Sequence, residues 1–453
     1  MEAWRLEMSF GEVLHDFTVL SLALLVATLL RAHVGFLQRY LIPNALLAGV
    51  LGLLVGPEIL AWLPISVERM GIWVYHLLAL TFICVGLKGG PADRSPAAIH
   101  LGFMQIMCMT LQAIVGIGVM LLACTLLDPT LNPAAGMLLT LGFAMGPGVA
   151  YSLGEAWSAY GFLEGGSVGL TIAAAGFLIA YLVGVATVNR SGFSSQDLPA
   201  SERTGVRGEQ ERSPAGMLTF SPGAIEPLGF HLALIVLVYA LTLLAASGIA
   251  EFLEAVGRGA EVPIVWSFHF ILANLLALLT RHLLGRFGAR HVTDPGLLDR
   301  MTGLFADYLI AASIMAIAVG LVIRYAVPIA VMAVLGGFAT FFVLRKAASW
   351  VFSTHRFARF IGMFGEMTGT LASGLALIRI LDPEYRSPVA QDLVLSSAVA
   401  LVLGFPLLAV INLPLTVFDG EEVGYLVLMG IMAGYLLLTL GAWRLYFRRS
   451  GSV

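Results

Sequence analysis

The chain has 453 residues, 59% of them hydrophobic and 12% charged, with a formal net charge of -3. A soluble globular chain carries about twice that charged fraction, so a water-soluble domain is excluded, and the small negative charge gives no support to a nucleic-acid partner. Cys84, Cys108 and Cys124 lie inside apolar runs without CxxC spacing or a nearby His cluster, and read as small apolar packing residues.

The N-terminus carries Glu2, Glu7, Glu12 and Asp16 against Arg5. That is the wrong sign for the basic region of a cleavable signal, so the apolar segment 17–33 reads as a retained span. Apolar segments follow at 42–63, 71–88 and 101–127, each near the length that crosses a bilayer core. Segment 133–160 is interrupted by Met145-Gly146-Pro147-Gly148. Proline removes a backbone donor and glycine is a poor helix former, leaving two arms of about half a membrane thickness. Segment 165–188 is uninterrupted. Residues 189–226, rich in Ser, Gly, Arg and Glu, read as a flexible linker. Segments 228–250, 262–281, 302–323 and 326–344 come next, then 356–381, broken at Thr368-Gly369-Thr370, and finally 390–413 and 422–445.

Loop charge sets the expected topology, because cytoplasmic loops carry an excess of Lys and Arg. Loops 31–41, 88–100, 281–300 and 345–359 and the C-terminus are basic. The acidic pieces are the N-terminus, Asp128, Glu251/Glu254/Glu261 and Asp419/Glu421/Glu422. If both broken segments cross fully, loops 31–41 and 281–300 fall on opposite sides. If both are re-entrant, every loop falls on its expected side. The expectation is an all-α integral membrane fold of about eleven spans, N-terminus outside and C-terminus and linker cytoplasmic, with one hairpin from each face.

The halves also correspond. Pro43 opens the second span as Pro263 opens its counterpart, and Phe82–Leu87 and Ala316–Leu321 both end in Val-Gly-Leu. With opposite starting sides, these are inverted repeats, a recurring transporter plan. The expected division is 1–188, a first repeat with its hairpin near 133–160; the linker 189–226; 227–414, a second repeat with its hairpin near 356–381; and 415–453, an extra C-terminal helix.

Phe36-Leu37-Gln38-Arg39-Tyr40-Leu41-Ile42-Pro43 resembles the start of the second span in sodium/glutamate symporters. Gly136–Trp157 (GMLLTLGFAMGPGVAYSLGEAW), followed by Tyr160-Gly161-Phe162, resembles that family's first hairpin, and Gly362–Pro406 its second hairpin and following span. The resemblance implies a sodium-coupled importer of glutamate or a related amino acid or carboxylate. It further implies an elevator-type homodimer in a prokaryotic inner membrane, with Na⁺ as coupling ion and no other cofactor. The chain departs from the family at the hairpin tips. Met145–Ala150 stands where the family has Gly-Gly-His-Gly-Thr-Gly, and the second hairpin lacks its Thr-Pro element. A proton-coupled exporter or a channel on the same fold is the alternative. No Walker, GxSxG or HExxH motif occurs, so an enzyme is not expected.

Hairpin tips expose backbone groups that no helix satisfies. Free N–H groups at helix starts favour anions and free C=O groups at helix ends favour cations. Gly146, Pro147, Gly148 and Gly369 are therefore expected to bring backbone to a solute or ion. Ser152, Thr368, Thr370 and Ser373 offer hydroxyls, and Thr368, Thr370 and Ser373 are the candidate sodium ligands. Arg379 is a candidate for a carboxylate, and Glu366 for a proton or Na⁺. Glu155 is a weaker candidate for the same role. Asp307 and His76 read as polar contacts between helices, and Arg324 as an interfacial anchor.

Overall fold

A computed structural model describes residues 9–88, 95–191, 226–383 and 386–450. Among them every regular element is helical. Before the polar stretch come α1 (Phe10–His33), α2 (Asn44–Val55), α3 (Val67–Lys88), α4 (Pro96–Leu126), α5 (Leu138–Ala144), α6 (Pro147–Ala156) and α7 (Gly165–Arg190). After the polar stretch come α8 (Pro227–Ala255), α9 (Val262–Ser267), α10 (His269–Arg286), α11 (Pro295–Met315), α12 (Ala326–Val351), α13 (Arg356–Thr368), α14 (Leu371–Leu381), α15 (Val389–Val410) and α16 (Glu422–Ser450). Most of residues 189–226, together with Arg94 and Glu384, lie outside the described residues.

Local chemistry sets several helix starts. Ser9 and Glu12 form a reciprocal capping box on α1. Ser95 and Asp294 accept first-turn N–H groups of α4 and α11, each with proline in the first turn.

Eight helices among the described residues are long and apolar enough to cross a membrane, or nine if α9 and α10, bent by 62°, count as one span. These are the helices of a multi-pass membrane protein. Of the about eleven expected spans, two fall outside that count. Segment 42–63 forms only a 12-residue helix, because Gly56 and Pro57 end it. Helix α11 is long enough, at 21 residues, but carries Asp299, Arg300 and Asp307.

The helices alternate in direction between two ends. Arg69 at the start of α3 pairs with Asp16 in α1, while Lys88 at its other end pairs with Asp299 near the start of α11. One end collects Arg31, Lys88, Arg281, Arg286, Arg345, Lys346, Arg356 and Arg448. The other collects Glu58, Asp128, Glu164, Glu251, Glu254, Glu261, Asp419 and Glu422. They are called the basic and acidic ends below.

Two groups of helices emerge. Helices α1–α3 and α8–α11 pack among themselves, and α4–α7 pack with α12–α16. Contact between the groups runs largely through α6, which lies against α3, α9 and α11.

Candidate functional site at two opposed hairpins

The first hairpin starts at Asn132, whose side chain caps the 3-10 turn Pro133–Met137 leading into α5. Helix α5 stops at Ala144, and Gly146 takes φ of +85°, a left-handed value that a side chain strains. Pro147 then opens α6, where its missing N–H costs nothing. The two outer ends of the hairpin lie together. Asn132 N donates to the Tyr325 hydroxyl at 3.1 Å, and the Phe162 ring packs on Tyr325 at 5.9 Å. Thr130, Asn132, Tyr160, Glu164 and Arg324 line one polar pocket of about 400 Å³ there. Beside it, Asp128 is held below its usual carboxylate range by hydrogen bonds from the Thr130 hydroxyl and backbone N–H. The chain therefore enters from the acidic end, turns at Gly146 and returns.

The second hairpin starts at the basic end. Arg359 in α13 donates to Asp392 at 2.8 Å, and Asp392 also accepts from Ser95 at 2.6 Å. Helix α14 returns to the same end, where Asp382 accepts from Arg386 N and Ser387 N. The arms touch backbone to backbone, since a Cβ on Gly374 would stand 2.4 Å from the Gly362 carbonyl oxygen. The two hairpin bases lie at opposite ends of α12. Tyr325 precedes that helix and Phe352, under the Arg359 guanidinium, follows it.

The tips meet between these ends. A Cβ on Gly146 would lie 3.3 Å from Thr370 Cγ2. Helix α7 passes alongside, with Gly176 so close that a Cβ would fall 2.4 Å from the Thr368 carbonyl oxygen. Gln112 of α4 donates to Met367 O at 2.8 Å and is placed 2.9 Å from the Thr340 hydroxyl. Two helix C-termini (α5, α13) and two N-termini (α6, α14) thus share one region. The first helical bond of α14 is Gly374 N to Thr370 O, so the N–H groups before it are free of the helix ladder.

The candidate residues divide. Gly146, Pro147, Gly369 and Thr370 are at the tips, and the Thr370 hydroxyl has no hydrogen-bond partner. Gly148 is beside them but faces the other helix group, where a Cβ would meet Leu78 at 2.7 Å and Leu309 at 3.2 Å. Thr368 donates back to Phe364 O at 2.7 Å, and Ser373 accepts from the Tyr181 hydroxyl at 3.1 Å. Glu366, 5% exposed, accepts from Ser397 at 3.0 Å, and its Oε2 has no partner.

Two candidates lie away from the tips. Ser152 is not at the tip; one and a half turns into α6, it donates to Ser267 O at 2.9 Å and so ties the hairpin to the break between α9 and α10. Arg379 is exposed in the last turn of α14, about 14 Å along the helix from Thr370, too far to serve the tip. Among the remaining residues, Asp307 is exposed on α11, His76 contacts the Tyr239 hydroxyl, and Arg324 donates to Thr130 at the acidic end. Glu155 is half-buried in the last turns of α6.

The sequence reading missed Gln105, Gln112, Tyr181, Thr340, Ser396 and Ser397. A signal was present for two of them. Gln105 and Gln112 are seven residues apart, two turns on one face of an otherwise apolar helix, and amides there require partners. Thr340 and Tyr181 carry no such signal, because either residue packs in a span without special cause.

No family model, no curated protein and no solved structure matches this chain.

Proposed function

We propose that this chain is a secondary transporter of a small anionic or zwitterionic solute, bound where the two hairpin tips meet. The observation that carries the reading is the placement of Gly146 against Thr370, with four helix ends gathered between the acidic and basic ends. Helix N-termini there favour a carboxylate and C-termini a cation. Irregular backbone at membrane depth is tolerated only where it is buried in protein or lines a cavity.

In this reading both hairpins are re-entrant and the halves are inverted repeats. The packing supports it: α2 lies on α11 as α10 lies on α3, α1 on α2 as α8 on α10, and α4 pairs with α12. The basic end faces the cytoplasm. The helix group that holds the tips moves against the group of α1–α3 and α8–α11, an elevator-type exchange in a homodimer. The resemblance to sodium/glutamate symporters makes Na⁺ the coupling ion and amino acids or dicarboxylates the first solutes to test.

The test is uptake by proteoliposomes of labelled glutamate, aspartate, neutral amino acids and dicarboxylates, with and without Na⁺ and pH gradients. Saturable, gradient-dependent uptake of one member is expected. Flux that does not saturate would favour a channel, and no flux of any member would overturn the reading.

A further inference from the structure

Glu366 is the buried carboxylate closest in sequence to the second tip, and no ion pair is seen for it among the described residues, its polar neighbours being the neutral Ser397 and Gln105. Its Oε1 accepts from Ser397 and its Oε2 has no partner. The nearest cation on its own arm, Arg359, is seven residues earlier, about 10 Å along the helix, and is committed to Asp392. Arg379 on the other arm is exposed near the hairpin base. From the helices packed against α13, the titratable groups are Asp392 on α15, His100, Cys108 and Cys124 on α4, and Tyr181 and the exposed Arg190 on α7; α5 carries none, and Arg345 and Lys346 of α12 are exposed toward the basic end. His100 is engaged by Trp443 at 2.8 Å and Tyr181 by Ser373.

An ionised carboxylate in such surroundings is strongly disfavoured unless a positive charge joins it. Polar groups lead up to it from the basic end. Ser95 and Arg359 hold Asp392. One turn further along α15, Ser396 accepts from Gln105 at 3.1 Å, and the adjacent Ser397 reaches Glu366. Buried ionisable groups inside membrane segments mark ion and proton pathways.

We infer that Glu366 binds the single positive charge, a proton or Na⁺, that couples to solute movement, reached from the basic end along Asp392, Ser396 and Ser397. This rests on the transporter reading for its role in transport, but not for the binding itself.

Two measurements on the full-length protein in detergent test the binding. The first compares melting of wild type and Glu366→Gln in NaCl against choline chloride and across pH. If Na⁺ is the ligand, it raises the wild-type Tm and the shift is lost in the variant. If a proton is the ligand, the carboxyl gives it up as pH rises, so wild-type Tm falls relative to the variant with increasing pH. Identical responses of the two proteins to both would overturn the inference. The second uses wild type alone, so it does not depend on the variant folding. An apolar carbodiimide, which modifies protonated carboxyls, should add to Glu366 with a yield suppressed by high pH or by Na⁺, read by peptide mass spectrometry. A yield indifferent to both would overturn the inference. If no solute in the uptake panel moves, the transporter reading falls while these two results still decide whether Glu366 binds a cation.

Discussion

At the scale of single residues, Gly146 and Gln112 do different work at the same junction. Gly146 supplies the left-handed backbone that lets α5 stop and α6 start within two residues. Gly146→Ala is expected to destabilise by about 1–2 kcal/mol from backbone strain alone, read as a lower Tm in detergent. An unchanged Tm would mean that the turn is not held left-handed. Gln112 holds the last turn of α13 to α12. Gln112→Leu leaves the Thr340 hydroxyl and the Met367 carbonyl without that partner, at about 1–3 kcal/mol, also measurable by melting. The break at Gly146-Pro147 was legible in the sequence because glycine and proline oppose helix by their own covalent structure. The Gln112 contacts were not, because its partners are 228 and 255 residues away.

At the scale of elements, the second hairpin depends on its base as well as its tip. Arg359 and Asp392 are both almost fully buried, with Ser95 and Thr354 completing their hydrogen bonds. A buried pair of this kind contributes little against an apolar alternative, but removing one partner leaves the other charge uncompensated. Arg359→Met alone is expected to cost about 3–5 kcal/mol. The double change Arg359→Met with Asp392→Leu should recover much of that loss, as read by unfolding of the single and double variants. Additive losses would show that the pair is not coupled. Segmentation was read well where apolar runs were long, as in α4, α7 and α8. It was overextended for 42–63, where apolar residues continue past Gly56 but the chain leaves the helix. Ser152 and Arg379 lie away from the tips for a related reason. Proximity in sequence to a hairpin says nothing of depth, and each turn of helix carries a side chain about 5.4 Å further from the tip.

At the scale of the whole molecule, the separation of charge between the ends is the main feature. Helix direction, not local sequence, brings Arg31, Lys88, Arg286 and Arg356 to one end and Asp128, Glu164 and Glu254 to the other. The proposed orientation puts the basic end on the cytoplasmic side, where basic residues are in excess. In a background lacking Cys84, Cys108 and Cys124, an impermeant thiol reagent is expected to label Glu254→Cys on intact cells and to leave Ala289→Cys unmodified until the membrane is opened. The reverse pattern would invert the orientation, and equal labelling of both would contradict the helix directions.

By itself the sequence determined that the chain is an all-helical membrane protein, where most helices lie, and that two of its segments break near their middles. Those properties follow from hydropathy and backbone chemistry, which act over a few residues. The tertiary structure alone decided that the two breaks face each other, that Gln112 and Tyr181 hold the second hairpin, and that Glu366 has no counter-charge among the described residues. Each of these depends on which helices touch, and contact between residues far apart in the chain is set by packing of the whole bundle.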